Sequence, residues 1–299
     1  MKSKAARSNL MLVFTAVIWG IAFVAQRVGM DYIGPFTFNA VRNLVGVIVL
    51  TVLLPVIDRI RGEADYHYPA GKWGGRQLLL GGVVCGIFLT IASCMQQIGI
   101  QYTTVGEAGF LTAMYIILVP VLGIFIRKRV PLTVWISVVL AVGGMYLLCM
   151  TGGNLSISKG NILEILCALF FSFQILAVDY FSPKCDGVRL SLLQFLVCGS
   201  LCLIISLIFE HPTIAGILAA WIPIAYAGIL SCGVGYTFQI LAQKNTDPVI
   251  ASLLMSLESV FSLIAGWIIL NQKLSPSQLA GCGIMFGAII LAQLRPKRH

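Results

Sequence analysis

The run Val249–Leu270, VIASLLMSLESVFSLIAGWIIL, holds 22 residues and one ionisable side chain, Glu258. An α-helix of that length is about 33 Å long, enough to cross a hydrocarbon core of about 30 Å. Glu258 is the tenth residue of the run and so falls near the bilayer midplane. A carboxylate at that depth costs at least about 2–3 kcal/mol unless it is paired, protonated or wetted. Whatever the chain folds into has to supply neighbouring helices or a cavity for that group.

The rest of the sequence is of the same kind. Hydrophobic residues make up 59% and charged residues 10%, where soluble domains carry about 25% charged residues. Mean hydropathy is +0.95. The chain therefore reads as an all-α polytopic membrane protein. Its ten apolar runs are Leu10–Val28, Phe36–Ile57, Gln77–Gln97, Val105–Ile126, Leu132–Met150, Asn161–Phe181, Leu190–Phe209, Ile222–Leu241, Val249–Leu270 and Gln278–Leu294. The basic start MKSKAARSNL resembles a secretory signal, but the apolar run behind it is long for one, so it is expected to stay as the first span. Pro residues at 35, 131, 183, 212, 248 and 276 punctuate the runs, while Pro120 and Pro223 fall inside them and predict kinks. Gly228, Gly233 and Gly235 make the eighth run the most bendable segment and the first candidate for a hinge.

The net charge of +9 does not signal nucleic acid, because the basic residues sit at span ends. Sixteen of the twenty Lys and Arg fall on the side that carries both termini, which predicts both termini in the cytoplasm and a bacterial-type inner membrane. Nine Cys are present without a CxxC pair, eight of them in or at the ends of apolar runs, so they read as small core fillers. His67, His211 and His299 lie in loops or the tail, which leaves no His for a membrane metal site. No cofactor or metal is expected. Neither HExxH nor a GxSxG-like Ser with a His in another span occurs, so an intramembrane enzyme is not expected.

The chain also resembles itself. Asn9–Val45 follows the hydropathy of Asn161–Val197 at an offset of 152 residues. QYTTVGEAGFLTAMYIILVPVLGIFI from Gln101 matches QKNTDPVIASLLMSLESVFSLIAGWI from Gln243, and after a two-residue shift Gly143 aligns with Gly287. Halves of five spans, residues 1–153 and 154–299, must enter the bilayer in opposite senses. Inverted repeats with a polar site between them near the midplane are a transporter architecture.

IWGIAFVAQR at 18–27, AVRNLVG at 40–46, QYTTVGEAGFLTAMYIILVPVL at 101–122, LESVFSLIAGWIIL at 257–270 and LSPSQLAGCGIMFGAIIL at 274–291 resemble, in order and spacing, the EamA-type branch of the drug/metabolite transporter superfamily. Ser259 stands where that family more often has Pro, and Asn271–Gln272 where Gly-Glu is common. The resemblance implies a 5+5 inverted-repeat carrier of small organic solutes, often amino acids or related metabolites and in many cases exported, working by alternating access.

Candidate site residues come from polar groups at depth. Glu258 is either a protonatable coupling or substrate-binding carboxyl or a protonated group bonding a neighbouring helix. Met255, Ser259 and Ser262 flank it, and Ser252 and Ser256 form a small-residue stripe that either lines a cavity or packs closely. Glu107, third in its span, is a gate or an interfacial side chain. Arg42 pairs across the bundle, snorkels outward or sits in a fixed ion pair. Arg27, Glu164 and Asp179 lie near span ends and read as interfacial. Gln174 is the deepest amide, with Gln96, Gln97, Gln101 and Gln239 nearer the span ends. Trp19, Phe23, Tyr115, Phe170, Phe171, Phe173 and Tyr236 are mid-span aromatics. Of these, Trp19, Tyr115, Phe171 and Tyr236 with the acid would form a box for a cationic or aromatic solute. The expected partners are a small-molecule substrate, the lipid bilayer and, in a coupled mechanism, protons. A facilitative channel, an uncoupled exchanger and a membrane assembly or receptor protein remain the alternatives, because each would share this hydropathy. Gly82–Gly86 and Gly283–Gly287 predict close helix contacts, and the fifth and tenth spans read as scaffold rather than pathway.

Overall fold

The computed structural model describes residues 2–61, 67–68, 71–125, 131–149, 158–271 and 275–293. Fourteen helices are present among them, α1 (Lys2–Gly29), α2 (Pro35–Arg61), α3 (Gly75–Gly99), α4 (Val105–Thr112), α5 (Tyr115–Phe125), α6 (Leu132–Cys149), α7 (Lys159–Phe181), α8 (Gly187–Phe209), α9 (Ile214–Ala219), α10 (Trp221–Ala225), α11 (Thr237–Gln243), α12 (Pro248–Met255), α13 (Glu258–Leu270) and α14 (Pro276–Gln293). Between α10 and α11 the chain runs as a π-helix, Tyr226–Tyr236. One departure from the all-α expectation is a short antiparallel pair in the α2–α3 connection, with His67 opposite Lys72 and Tyr68 opposite Gly71.

Among the described residues, eight helical segments are long and apolar enough to cross a bilayer. They are Ala5–Gly29, Pro35–Ile60, Gly75–Gly99, Val105–Phe125, Lys159–Phe181, Gly187–Phe209, Trp221–Gln243 and Pro248–Leu270. The expected fifth and tenth spans correspond to α6 and α14, which pack against each other. The proposed boundary at residues 153–154 and the basic residues at 127–129, 273, 295, 297 and 298 lie outside the described residues.

The bundle is built around α1. It packs on α13, on the π-helical stretch and on α11. The pairs α3–α7, α2–α8 and α3–α8 close the other side. Gly82 and Gly86 carry the α3–α8 contact as expected of their spacing, since a Cβ on either would come within 2.5–2.6 Å of Leu193 or Val197. Gly143, Gly283 and Gly287 do not repeat this, for nothing lies within 4 Å of the place their Cβ would take. The glycines of the eighth run serve close approach as well. A Cβ on Gly228 would meet Val45, and one on Gly235 would meet the Trp19 ring.

The pair α2–α8 is fastened at both ends. At the end that carries the α1–α2 turn, the Glu210 carboxylate accepts from the N–H groups of Phe36 (2.8 Å) and Thr37 (2.6 Å) and so caps the N-terminus of α2 from the end of α8. At the end that carries the α2–α3 connection, the Arg189 guanidinium donates twice to Asp58, at 3.2 and 2.5 Å. The same guanidinium lies 4.4 Å from the centre of the Trp73 ring.

Two of the crossings are broken halfway. Thr104 caps α4, which runs eight residues to Thr112, and α5 starts at Tyr115. Asp247 caps α12, which runs eight residues to Met255, and α13 starts at Glu258. Each break is a single tight turn of three-residue hydrogen bonds. Ile116 N–H donates to Ala113 O at 3.0 Å, and Ser259 N–H to Ser256 O at 3.1 Å. Caps, helix ends and these bonds all correspond at an offset of 143 residues. The offset of 142 given by the Gln101 and Gln243 runs is therefore one residue out here, and Glu258 stands opposite Tyr115 rather than Ile116.

Candidate functional site

Both breaks open onto one cavity. It is narrow: of about 410 Å³ between the atoms, open solvent included, only about 20 Å³ is wide enough for a water molecule. One face of α1 supplies Trp19, Ala22, Phe23 and Gln26, spaced as successive turns require. From α2 comes Arg42, from α3 Gln96, from the first broken helix Thr112 and Tyr115, and from α7 Phe171, Gln174 and Ile175. Ser231 and Tyr236 of the π-helix, Gln239 of α11 and Glu258 at the start of α13 complete it.

Glu258 is 3% exposed and its Oε1 has no hydrogen-bond partner. The Tyr115 hydroxyl, also without a partner, faces its carboxyl. Glu258 and Tyr115 are each the first residue of a half-helix whose N-terminus points into the cavity, where the helix dipole favours negative charge. Arg42 is 4% exposed and sits 5.7 Å from the centre of the Phe38 ring, one turn earlier on α2. It neither snorkels nor joins a fixed ion pair with a described residue, and its Nε has no partner. One guanidinium and one carboxyl thus share a cavity, and among the described residues neither has an ion pair.

The walls are aromatic and amide. Trp19 packs against Tyr236 with ring centroids 4.6 Å apart and the planes tilted by 51°, and Phe195 meets Tyr236 edge-on at 5.7 Å. Gln239 Nε2 donates to Gln174 Oε1 at 3.1 Å, and Gln174 Nε2 donates to Gln194 Oε1 at 3.2 Å. This amide chain engages both polar atoms of Gln174, one bond at each. The Oε1 atoms of Gln26 and Gln239 remain unpartnered.

Seven of the eight site residues expected from sequence meet here: Glu258, Gln174, Trp19, Tyr115, Tyr236, Phe171 and Arg42. Glu107 does not. Its N–H donates to the Thr104 cap at 3.2 Å and its carboxylate accepts from the Thr103 hydroxyl at 2.7 Å, so it belongs to the start of α4. Phe170 and Phe173 face away from the cavity, with Phe173 stacked on Phe88 at 5.4 Å. The Ser252, Ser256, Ser259 and Ser262 hydroxyls all bond back to carbonyls three residues earlier, at 2.8–2.9 Å. Their stripe is packing surface, and a Cβ on Gly109 of α4 would lie 2.2 Å from Ser262 Oγ.

Glu164 corrects the span-end reading. It is 0% exposed, and its Oε2 accepts from Thr112 Oγ1 at 2.9 Å, which in turn accepts from Gln96 Nε2 at 3.3 Å. The reason is local. The α3–α4 turn folds over the start of α7, so closely that a Cβ on Gly160 would come within 2.8 Å of Gly99 O. Depth along the helix does not measure exposure when a turn caps the helix. Gln26 and Thr112 were also missed; Gln26 lies seven residues after Trp19, and Thr112 three before Tyr115, so helical spacing from the aromatic anchors would have found both.

The sequence matches the EamA-like transporter family twice, over residues 6–150 and 158–294. The chain belongs to that family. An uncharacterized transporter of Archaeoglobus fulgidus is 28% identical over 293 residues, covering 96% of this chain and 86% of the relative. The uncharacterized transporter YoaV of Bacillus subtilis is 23% identical over 297 residues, covering 95% and 97%. A solved crystal structure covers 96% of both chains at 17% identity with a TM-score of 0.74, which shows a shared fold. Membership makes the chain a multi-pass membrane transporter, and a transporter of this kind needs a small-molecule substrate and a bilayer.

Proposed function

We propose that this EamA-like transporter is a secondary carrier of a small zwitterionic, amino-acid-like metabolite. The observation that carries this reading is the pair Arg42 and Glu258. Each lines the cavity with one polar atom, Arg42 Nε and Glu258 Oε1, left unpartnered among the described residues, and a charge left in such a state is costly. A solute with a carboxylate for Arg42 and an ammonium for Glu258 would offset both costs. The unpartnered acceptors on Gln26 and Gln239 add capacity for N–H donors, and Trp19, Tyr115, Phe171 and Tyr236 suit an apolar or aromatic side chain. A plain cation would leave Arg42 without a partner.

The mechanism we assign is alternating access by two inverted halves, 1–153 and 154–299, with both termini in the cytoplasm of a bacterial-type inner membrane and net movement outward. The double family match and the paired helix breaks support the repeat. The direction rests on the resemblance alone. Glu258 is the coupling carboxyl, exchanging a proton as the solute binds and leaves.

Thermal shift on purified protein tests the substrate class, because a ligand that binds only the folded state raises apparent stability. An intact amino acid should raise Tm where its methyl ester and its N-acetyl derivative do not. Arg42→Gln should erase the loss caused by esterification. Equal shifts with all three compounds would overturn the zwitterion. Proteoliposomes test the mechanism: saturable counterflow supports a carrier, whereas ohmic flux supports a channel. An imposed proton gradient should drive accumulation, and indifference to it would leave an uncoupled exchanger.

A further inference from the structure

The two ends of the cavity are closed in different ways. Toward the α2–α3 end, α1 presents Ser8, Leu12, Thr15 and Ala16, all at most 4% exposed. Thr15 also donates to Gly235 O at 3.2 Å, and the Gln239–Gln174–Gln194 chain crosses nearby. From Ser8 to Trp19 this packing is about 16 Å deep, counting 1.5 Å per helical residue.

Toward the α1–α2 end the barrier is a single layer. Phe23 lines the cavity, and four residues further along α1, about 6 Å by the same rise, Arg27 lines a second depression of about 670 Å³. The depression is completed by Val28, Asp31, Thr103, Thr104, Val105 and Leu270. Between the two spaces Phe23, Val24, Ile100, Val105, Ala108 and Ala265 form one apolar cluster, each at most 5% exposed. Phe23 is on its cavity side and Val105 on its outer side. Its own side chains are apolar throughout, and beside it one side-chain hydrogen bond ties α1 to α3, with Gln97 Nε2 donating to Gln26 O at 3.0 Å.

We propose that this Phe23–Val105 septum is the gate between the cavity and the α1–α2 face, and that the depression is its vestibule. The structure is then shut at both ends but one side chain away from opening toward the α1–α2 face, the external face in the orientation proposed above. The gate deepens the carrier reading and rests on it. Opening needs displacement of the Phe23 ring from a layer shared by α1, α3, α4 and α13. The α2–α8 pair, tied by Glu210 and by Arg189, stays as frame.

The test is site-directed labelling in sealed vesicles of known orientation. A membrane-impermeant maleimide is added to one side, and modification is read by peptide mass spectrometry so that the native cysteines are followed separately. Ala22→Cys places a thiol in the cavity. With Phe23 present it should label slowly. With Phe23→Ala it should label at least about ten-fold faster from the α1–α2 side only, since reaction at a buried site follows how often that site opens. Ala16→Cys, in the deep packing, should stay unmodified from either side. If Phe23→Ala does not remain monodisperse, Val105→Ala thins the other layer and should speed labelling by a smaller factor. Unchanged labelling of well-folded variants, fast labelling with Phe23 intact, or access from the opposite face would each overturn the gate. Counterflow in the same vesicles separates the two ideas. Persistent counterflow with unchanged labelling removes the gate alone, whereas absent counterflow with accelerated labelling removes the carrier reading.

Discussion

The two broken helices share a backbone and differ in chemistry. From the caps Thr104 and Asp247 to the tight turns that precede Tyr115 and Glu258, the backbone hydrogen bonds of one helix recur in the other, although Thr104 accepts from the third residue on, Glu107, and Asp247 from the second, Val249. The local causes are unlike. In α5, Pro120 lacks an N–H and leaves the Ile116 carbonyl without its helical donor just beyond the turn. In α13, Ser256, Ser259 and Ser262 bond back onto the helix, which bends it without a proline. The same geometry reached by two routes is best explained by what it provides, a helix start aimed at the cavity from each side. What fills that position is different: a phenol at the start of α5 and a carboxylic acid at the start of α13. A symmetric frame thus carries an asymmetric pair, and only one member can exchange a full charge.

That asymmetry can be broken experimentally. Glu258→Gln should have the largest effect, abolishing proton-driven accumulation and the pH dependence of transport in proteoliposomes while the protein stays monodisperse in detergent. Aggregation of the variant would instead favour a role in holding helices together. Tyr115→Phe should cost much less, about five-fold in transport, the size of one hydrogen bond from its hydroxyl to a bound solute, about 1 kcal/mol. Equal losses for the two would mean that the halves are chemically equivalent after all.

Packing around the breaks gives the next test. Gly109→Ala would force a Cβ to 2.2 Å from Ser262 Oγ, and overpacking of this kind costs about 1–3 kcal/mol. Apparent Tm should fall, and Ser262→Gly in the same chain should restore most of it. Smallest are the caps. Thr104→Ala and Asp247→Ala should each cost about 1 kcal/mol by thermal denaturation. Their equality would sharpen the picture of one frame used twice, and a large difference would argue that the halves are not mechanically alike.

Much of this was legible beforehand because membrane segments obey strong rules. Length and hydropathy locate the helices, and the cost of a midplane acid singles out Glu258. Arg42, Gln174 and the aromatics followed from the same reasoning. Glu107 lies apart from the cavity because it belongs to a threonine-led helix start, the interfacial one of its two readings, and Glu164 departs from its span-end reading because a turn from elsewhere in the chain covers it. The repeat register slipped by one residue because apolar runs match one another almost equally well at neighbouring offsets.

By itself, the sequence determined that the chain crosses a membrane many times and that other helices or a polar space must meet Glu258. Only the tertiary structure decided which side chains face that space. In a soluble helix the polar face marks the outside, but lipid is as apolar as a protein core, so a spanning helix carries little pattern to say which way it turns. Phe171 and Phe173 are two residues apart on α7 and alike in chemistry, yet one lines the cavity and the other stacks on Phe88 away from it. What distinguishes them is the rotation of α7 against α3, set by packing between segments far apart in the chain.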